Sequence, residues 1–376
     1  MDTFPKKLDK KLSDRAAQNS LRRLPLLEGK VDFSSNDYLG IAKNPDIFYM
    51  VTHLLEAREI VANGSTGSRL LTGNSQLFVE LEGMLERFHE ADSALVFNSG
   101  YDANVGFFSA VPQRNDLIFY DEYIHASIRD GISMAKSNAF KFAHNDLHDL
   151  EESLRRNRKG REDAEIYVVT ESIFSMDGDS PDLGSMVRLS REHNYRLIVD
   201  EAHAVGVFGG GLVQELGFHK AVFARLVTFG KAIGAHGAAI LGSERLKQYL
   251  FNFCRSFIYT TALPPHALAT IPIAYEQMAK GGEMKKLKDN ISIFKQEISR
   301  LGLPFIQSDS AIQCCMVSGN GPATELADNL QREGFDVRAI LYPTVPKGSE
   351  RLRFCIHSYN SEGEIVLLLG LLAKFM

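Results

Sequence analysis

Seven short runs of apolar residues, each closed by a polar or turn-forming residue, constrain this chain more than anything else in it. They are ALVFN (94–98), LIFYD (117–121), AFKFA (139–143), IYVVT (166–170), RLIVD (196–200), RLVTF (225–229) and GAAILG (237–242). A strand wetted on one face alternates apolar and polar residues, whereas runs apolar at successive positions belong to strands covered on both faces. Stretches with helical spacing lie between them, such as Leu77, Leu81, Leu85 and Phe88 on one face of 76–89. Strand and helix in alternation predict an α/β fold with a large domain built on a mainly parallel, seven-stranded sheet. The texture changes near residue 265. Long helical patterns (266–280 and 284–300) precede short strands near 312–317 and 351–356 and then a final helix. That predicts a smaller C-terminal α+β domain. The expected organisation is an N-terminal arm over 1–40, a large domain over 41–264 and the C-terminal domain over 265–376.

Composition removes several function classes. The 42 Lys and Arg against 47 Asp and Glu leave a net charge of −5, which is no footprint for nucleic acid. The locally basic stretch 5–15 has the spacing of a solvated helix rather than a membrane or DNA anchor. The most apolar run, IVLLLGLL (365–372), is too short for a bilayer, which needs about 20 residues. No membrane span is expected, and that run reads as a buried C-terminal helix. The four cysteines, at 254, 314, 315 and 355, form no C-x-x-C pair. Free buried thiols in a reducing cytoplasm are the expectation, and the N-terminus lacks the apolar core of a signal peptide.

A parallel sheet binds its ligands beyond the carboxyl ends of its strands. The residues just after each run are therefore the informative ones: Ser99-Gly100-Tyr101, Asp121 to His125, Glu171 to Asp177, Asp200 to His203, and Gly230-Lys231. Titratable and polar groups collect on one rim. Lys231, just after a buried strand and among small residues, is poorly solvated. Desolvation favours the neutral amine, a nucleophile toward a carbonyl carbon; the plain alternative is a strand-end lysine in water. Asp200 closes its strand with a carboxylate suited to a ring nitrogen, unless it only caps a helix. His203, in DEAHAVG (200–206), strengthens the first reading, since it can reach a phenolic oxygen. Ser99, Gly100 and Tyr101 open a helical stretch whose free N–H groups suit a phosphate. His125 can lay its ring on a flat group, and Ser175 can donate a hydrogen bond to a ring oxygen.

Other chemistries fit worse. Gly64, Gly67 and Gly73 lack the spacing of a dinucleotide loop, and Ala232 stands where a P-loop needs Ser or Thr. His144 and His148 are four apart with no evident third ligand, so no metal site is expected.

Together, the motifs FSSNDYLG (33–40), GSTGSRLLTGN (64–74), FNSGYDAN (97–104), HAS (125–127), FAHND (142–146), TESIFSMDGD (170–179), VDEAHAVGVFG (199–209), VTFGKAIGAHGAAI (227–240), IYTTALPP (258–265) and PTVPKGSERLR (343–353) resemble, over nearly the whole chain, the α-oxoamine synthases of the fold type I pyridoxal-5'-phosphate (PLP) superfamily. The resemblance implies coupling of an amino acid to an acyl thioester, on coenzyme A or an acyl carrier protein, with loss of CO2. It implies PLP held as a Schiff base on Lys231, with Asp200 at the pyridine nitrogen, His203 and Ser175 near the ring oxygen, and His125 stacked on the ring. Thr228 and the Gly100-Tyr101 backbone match cofactor-anchoring positions. Thr260 or Thr261 matches the residue reaching the phosphate from the other subunit, which implies a homodimer with its active site at the subunit interface. Arg22 in SLRRLP (20–25), His125, Thr344 and Arg353 match substrate-side positions; an arginine fork suits a carboxylate. Two departures bear on specificity: Leu341 and Tyr342 precede PTVP where an arginine is common, and Arg69 stands where many of these synthases have histidine.

Overall fold

The computed structural model describes residues 4–22, 24 and 29–376. Arg23 and Pro25 of the SLRRLP motif lie outside the described residues. In chain order the principal helices are α1 (Lys6–Ala17), α2 (Pro45–Ala57), α3 (Gln76–Phe88), α4 (Gly100–Ala110), α5 (Ala126–Met134), α6 (Leu147–Arg158), α7 (Leu183–His193), α8 (Glu244–Phe253), α9 (Pro265–Lys280), α10 (Glu283–Leu301), α11 (Asn320–Arg332) and α12 (Glu362–Phe375). The chain divides into two compact units. The larger comprises 37–175 and 180–284, the smaller 1–36, 176–179 and 285–376.

The larger unit is built on seven strands: β1 (Ser93–Phe97), β2 (Leu117–Asp121), β3 (Asn138–Phe142), β4 (Ile166–Glu171), β5 (Arg196–Asp200), β6 (Ala224–Thr228) and β7 (Ala238–Gly242). They are the seven apolar runs, each within a residue of its expected bounds. Their order across the sheet is β1-β7-β6-β5-β4-β2-β3. Only β7 runs against its neighbours, pairing antiparallel with both β1 and β6. Successive residues of each strand point to opposite faces, and both faces are covered. Ile118, Val169, Ile198 and Leu226 enter one core layer with Phe107 and Ile128 of α4 and α5. Leu117, Phe119, Val168, Leu197 and Val199 enter the other with Leu150, Leu154 and Met186 of α6 and α7. Each such side chain taken from water contributes roughly 1.5–3 kcal/mol, which is why the runs read as continuously apolar. The shared strand direction puts the carboxyl ends of β1, β2, β4, β5 and β6 on one edge.

The smaller unit holds a three-stranded antiparallel sheet, β8 (Ile312–Met316), β9 (Arg338–Ile340) and β10 (Arg351–Cys355), in the order β9-β10-β8. Phe294 of α10, Phe305 and Phe354 pack their rings together on it. Val31–Asp32 pairs in parallel with Phe335–Asp336, so residues 31–36 are woven into this unit. The N-terminal segment therefore leaves it at Asn36 rather than forming an arm to residue 40. The smaller unit's C-terminal part begins at Lys285, not at 265. α9 stays with the larger unit because its face packs on α2 and α3, with Tyr275 wedged against Phe88 and His89. Among the described residues no helix is long and apolar enough to cross a membrane.

Candidate active site

The carboxyl edge of the large sheet gathers the expected groups of that unit. Asp200 ends β5 and is only 6% exposed. Its Oδ1 accepts from the Ala202 N–H at 2.9 Å and its Oδ2 from Asn104 Nδ2 at 2.8 Å. His203, three residues on, is buried with Nδ1 2.7 Å from Tyr38 Oη, and Tyr38 itself is fully buried. Lys231 lies just past β6 in the turn closed by the Gly234 N–H on the Lys231 carbonyl, 2.8 Å. It follows the carboxyl end of β6, on the edge where Glu171 and Asp200 end their strands.

The β1-to-α4 turn carries the next pair. Ser99 caps α4, its Oγ accepting from the Asp102 N–H at 3.1 Å. Gly100 faces the end of β6: a Cβ at 100 would stand 3.7 Å from Thr228 Oγ1. The first helical N–H groups and the Thr228 hydroxyl thus lie side by side, an arrangement that suits a phosphate. The Tyr101 side chain turns outward to Asp130, 2.6 Å, so only its backbone belongs to this cradle. Thr260 and Thr261 sit against the same turn, with Asn98 Nδ2 donating to Thr260 Oγ1 at 2.9 Å and to the Thr261 carbonyl at 2.7 Å. Ser175 is buried at the end of the larger unit's 37–175 segment.

His125 is the N-cap of α5. Its backbone N–H donates to Glu171 Oε1 at 2.6 Å, and its Nδ1 lies 2.7 Å from Ser127 Oγ. Desolvation lowers the imidazole pKa, nearby Asp200 pulls it up, and Lys231 pulls it down. Glu171 ends β4 directly beside Asp200 in the sheet register. Complete burial, then the charge of Asp200, push its carboxyl well above the usual carboxylate range, while Lys231 and the His125 N–H act the other way.

The other three expected residues belong to the smaller unit. Arg353 on β10 is buried, with Nη2 donating to Asn36 Oδ1 at 3.0 Å. Arg22 and Thr344 are both exposed and line one cavity of about 920 Å3 together with Arg15, Arg332, Arg338 and Leu341. Leu341, the departure from the usual arginine, therefore sits in the same cavity as two expected substrate residues. Arg69 does something else. Its Nη1 meets Glu82 Oε1 at 2.5 Å, its Nε and Nη2 reach Asn74 Oδ1, and its guanidinium lies 3.9 Å over the Phe78 ring. It staples a turn to α3. His144 and His148 have separate partners, Asp121 and Glu152.

Sequence reasoning misses Tyr38, Asn104 and Ser127. One signal is available: Asn104 is a polar residue on the buried face of the otherwise apolar α4, one turn after Gly100.

Comparison with known proteins gives the family. The family model "Aminotransferase class I and II" matches residues 28–367. The chain belongs to the class I and II aminotransferase family. Within that family its relatives are α-oxoamine synthases. An 8-amino-7-oxononanoate synthase of Emericella nidulans is 38% identical over 96% of this chain and 93% of its own length. One from Chromohalobacter salexigens is 34% identical over 99% and 97%. Among solved structures, Sphingomonas wittichii serine palmitoyltransferase matches with a TM-score of 0.90 at 27% identity, over 98% of this chain and 97% of that one. The 8-amino-7-oxononanoate synthase of Francisella tularensis matches with a TM-score of 0.78 at 27% identity, over 93% and 98%.

The cofactor of this family is PLP, and the residues present fit it. The buried carboxylate of Asp200 at the end of β5 suits a ring nitrogen. A rim amine (Lys231) suits an aldehyde carbon, and a helix start flanked by a threonine hydroxyl suits a phosphate.

Proposed function

We propose that this protein is a PLP-dependent acyltransferase that condenses L-alanine with a pimeloyl thioester, giving 8-amino-7-oxononanoate, CO2 and free thiol, a step of biotin biosynthesis. The observation that carries the reading is the meeting of Lys231, Asp200 and His125 on one rim of a chain 38% identical to an 8-amino-7-oxononanoate synthase. PLP, when bound, supplies an electron sink for the charge that develops at the amino acid Cα. Asp200 would pair with the ring nitrogen. Lys231 Nζ would hold the aldehyde carbon of the cofactor and, as a free amine, would move a proton at the amino acid Cα. His125 would cover the ring face, His203 and Ser175 would serve the ring oxygen, and Thr228 with the Gly100-Tyr101 backbone would hold the phosphate. Arg353 pairs with a substrate carboxylate, while Arg22 and Thr344 serve the acyl side.

The working form is a homodimer in which Thr260 or Thr261 reaches the partner's phosphate. Exposed apolar side chains at Leu71 (82%) and Tyr259 (72%), in and beside the GSTGSRLLTGN and IYTTALPP segments, support a covered surface there. The four cysteines are free and buried, which accords with a cytoplasmic location.

A second reading is another α-oxoamine synthase, of the glycine C-acetyltransferase or serine palmitoyltransferase type. Solved structures of both types match this chain at 27% identity, with TM-scores of 0.90 for the serine palmitoyltransferase and 0.78 for the 8-amino-7-oxononanoate synthase; the sequence identities of 34–38% support the first reading. Alanine, glycine and serine, each offered with acetyl, pimeloyl and palmitoyl thioesters, separate the two by thiol release. Alanine with the pimeloyl thioester is expected to be the best pair. Preference for serine with palmitoyl, or glycine with acetyl, would move the protein to the second reading.

A further inference from the structure

Two residues that touch neither end of the proposed chemistry tie its parts together. Asn104 on α4 is 3% exposed and Ser127, in the first turn of α5, is fully buried. Asn104 Nδ2 is 2.8 Å from Asp200 Oδ2 and 3.0 Å from Ser127 Oγ. Ser127 Oγ is 2.7 Å from His125 Nδ1, and the Ser127 N–H also points at Nδ1, 3.2 Å away.

The chemistry of the groups settles the direction of each bond. A charged carboxylate only accepts, so the Asn104 atom facing Asp200 is the amide nitrogen. Its two hydrogens go to Asp200 and to Ser127 Oγ. Ser127 Oγ, already accepting, has one hydrogen to give, and His125 Nδ1 receives it. A nitrogen that accepts from both a hydroxyl and a backbone N–H carries no proton of its own. The neutral ring then keeps its proton on Nε2, which has no hydrogen-bond partner among the described residues.

The packing behind this chain is close. A Cβ at Gly131 of α5 would lie 2.9 Å from the Asn104 carbonyl oxygen and 2.9 Å from Phe108 Cβ. Only glycine there lets α5 settle on α4 with Ser127 in reach of Asn104.

We propose that Asn104 and Ser127 are positioning residues: the hydrogen-bond chain Asp200–Asn104–Ser127–His125 locks the carboxylate and the imidazole in one fixed relation and holds the imidazole as its Nε2–H tautomer. A ring held this way presents one defined donor to bound substrate and cannot take up a proton at Nδ1 without reversing the chain. The roles of Asp200 and His125 in it rest on the function proposed above; the tautomer itself does not. The charged and titratable groups around the ring are Asp200 of β5, Glu171 of β4, Lys231 after β6, and Arg129 and Asp130 of α5. Of these, Asp200 and Asp130 favour protonation, while Lys231 and Arg129 oppose it.

The test is nitrogen NMR of the full-length protein as purified, with 15N-labelled histidine and the His125 signals assigned by their loss in His125→Asn. The expected wild-type spectrum shows an unprotonated Nδ1 and a protonated Nε2, unchanged between about pH 6 and 8. Ser127→Ala and Asn104→Leu should each shift His125 to a mixture of tautomers, and Ser127→Thr, which keeps the hydroxyl, should restore the wild-type pattern. In turnover, Ser127→Ala should lose about tenfold to a hundredfold in kcat with KM for the amino acid little changed. A protonated Nδ1 in the wild type, or identical His125 spectra in the wild type, Ser127→Ala and Asn104→Leu, overturns the proposal. Because the spectra need neither cofactor nor substrate, they stand even if the substrate panel rejects the proposed reaction.

Discussion

Asp200 and Glu201 are adjacent in sequence and sit in two different kinds of polar network. Asp200 faces the rim, with the Asn104 amide and the Ala202 N–H as partners. Glu201 faces inward, fully buried, 3.4 Å from the Arg225 guanidinium and accepting from the Val213 N–H at 2.8 Å. Arg225 also donates to the His89 carbonyl, and His89 closes the network on Tyr275 Oη at 2.9 Å. The inner network joins protein groups to one another. The outer one lies at the carboxyl edge of the sheet, where the proposed function places the cofactor. The difference teaches that burial and charge alone do not mark a catalytic group: the deeply buried Glu201–Arg225 pair ties protein to protein, and the proposed function assigns the chemistry to the rim carboxylate beside it.

Substitutions on the two sides should therefore fail in different ways. Asp200→Asn should keep its fold and its melting temperature while losing on the order of a thousandfold in kcat, because the ring nitrogen loses its charged partner. Steady-state kinetics beside thermal unfolding measures both, and a stability loss equal to that of the inner variants would erase the contrast. Arg225→Ala should do the opposite, costing about 3–5 kcal/mol of stability by leaving Glu201 buried without a cation. Denaturant unfolding reads that loss, and activity per folded molecule should stay close to wild type.

A smaller effect is pH-dependent. Burial raises the Glu201 pKa to about 7, with Arg225 opposing it. A carboxyl whose pKa is raised in the folded state contributes stability that is fully present below its unfolded pKa of about 4.5 and is lost as pH rises through about 7. Glu201→Gln removes this titration. The stability of wild type relative to Glu201→Gln should thus fall between about pH 5 and 7, and a difference flat across that window would contradict the assignment. His89 works in the other direction. Burial lowers its pKa to about 3, so its contribution is present above about 6.5 and is lost as the medium is acidified.

The same contrast explains what is legible in the sequence. The seven strands can be read because burial on both faces writes a continuous apolar run, and the rim residues because they come directly after those runs. Asp200, Lys231 and His125 each announce themselves at a strand end or a helix start. Asn104, Ser127 and Tyr38 do not, since their roles come from partners 96, 23 and 165 residues away. Arg69 draws attention in the sequence by its place in a motif, but its contacts with Glu82, Asn74 and Phe78 are set by the fold and cannot be read from that place. Texture alone groups the helix at 265–280 with the C-terminal domain, and packing against α2 and α3 is a long-range fact that texture cannot carry.

The proposed chemistry hangs on a covalent attachment point at position 231. Borohydride reduction of the protein with PLP, and then peptide mass mapping, tests it most directly. A single pyridoxyl adduct is expected on the peptide containing Lys231, absent in Lys231→Ala. An adduct on another lysine, or no adduct in a folded protein saturated with the cofactor, would contradict it.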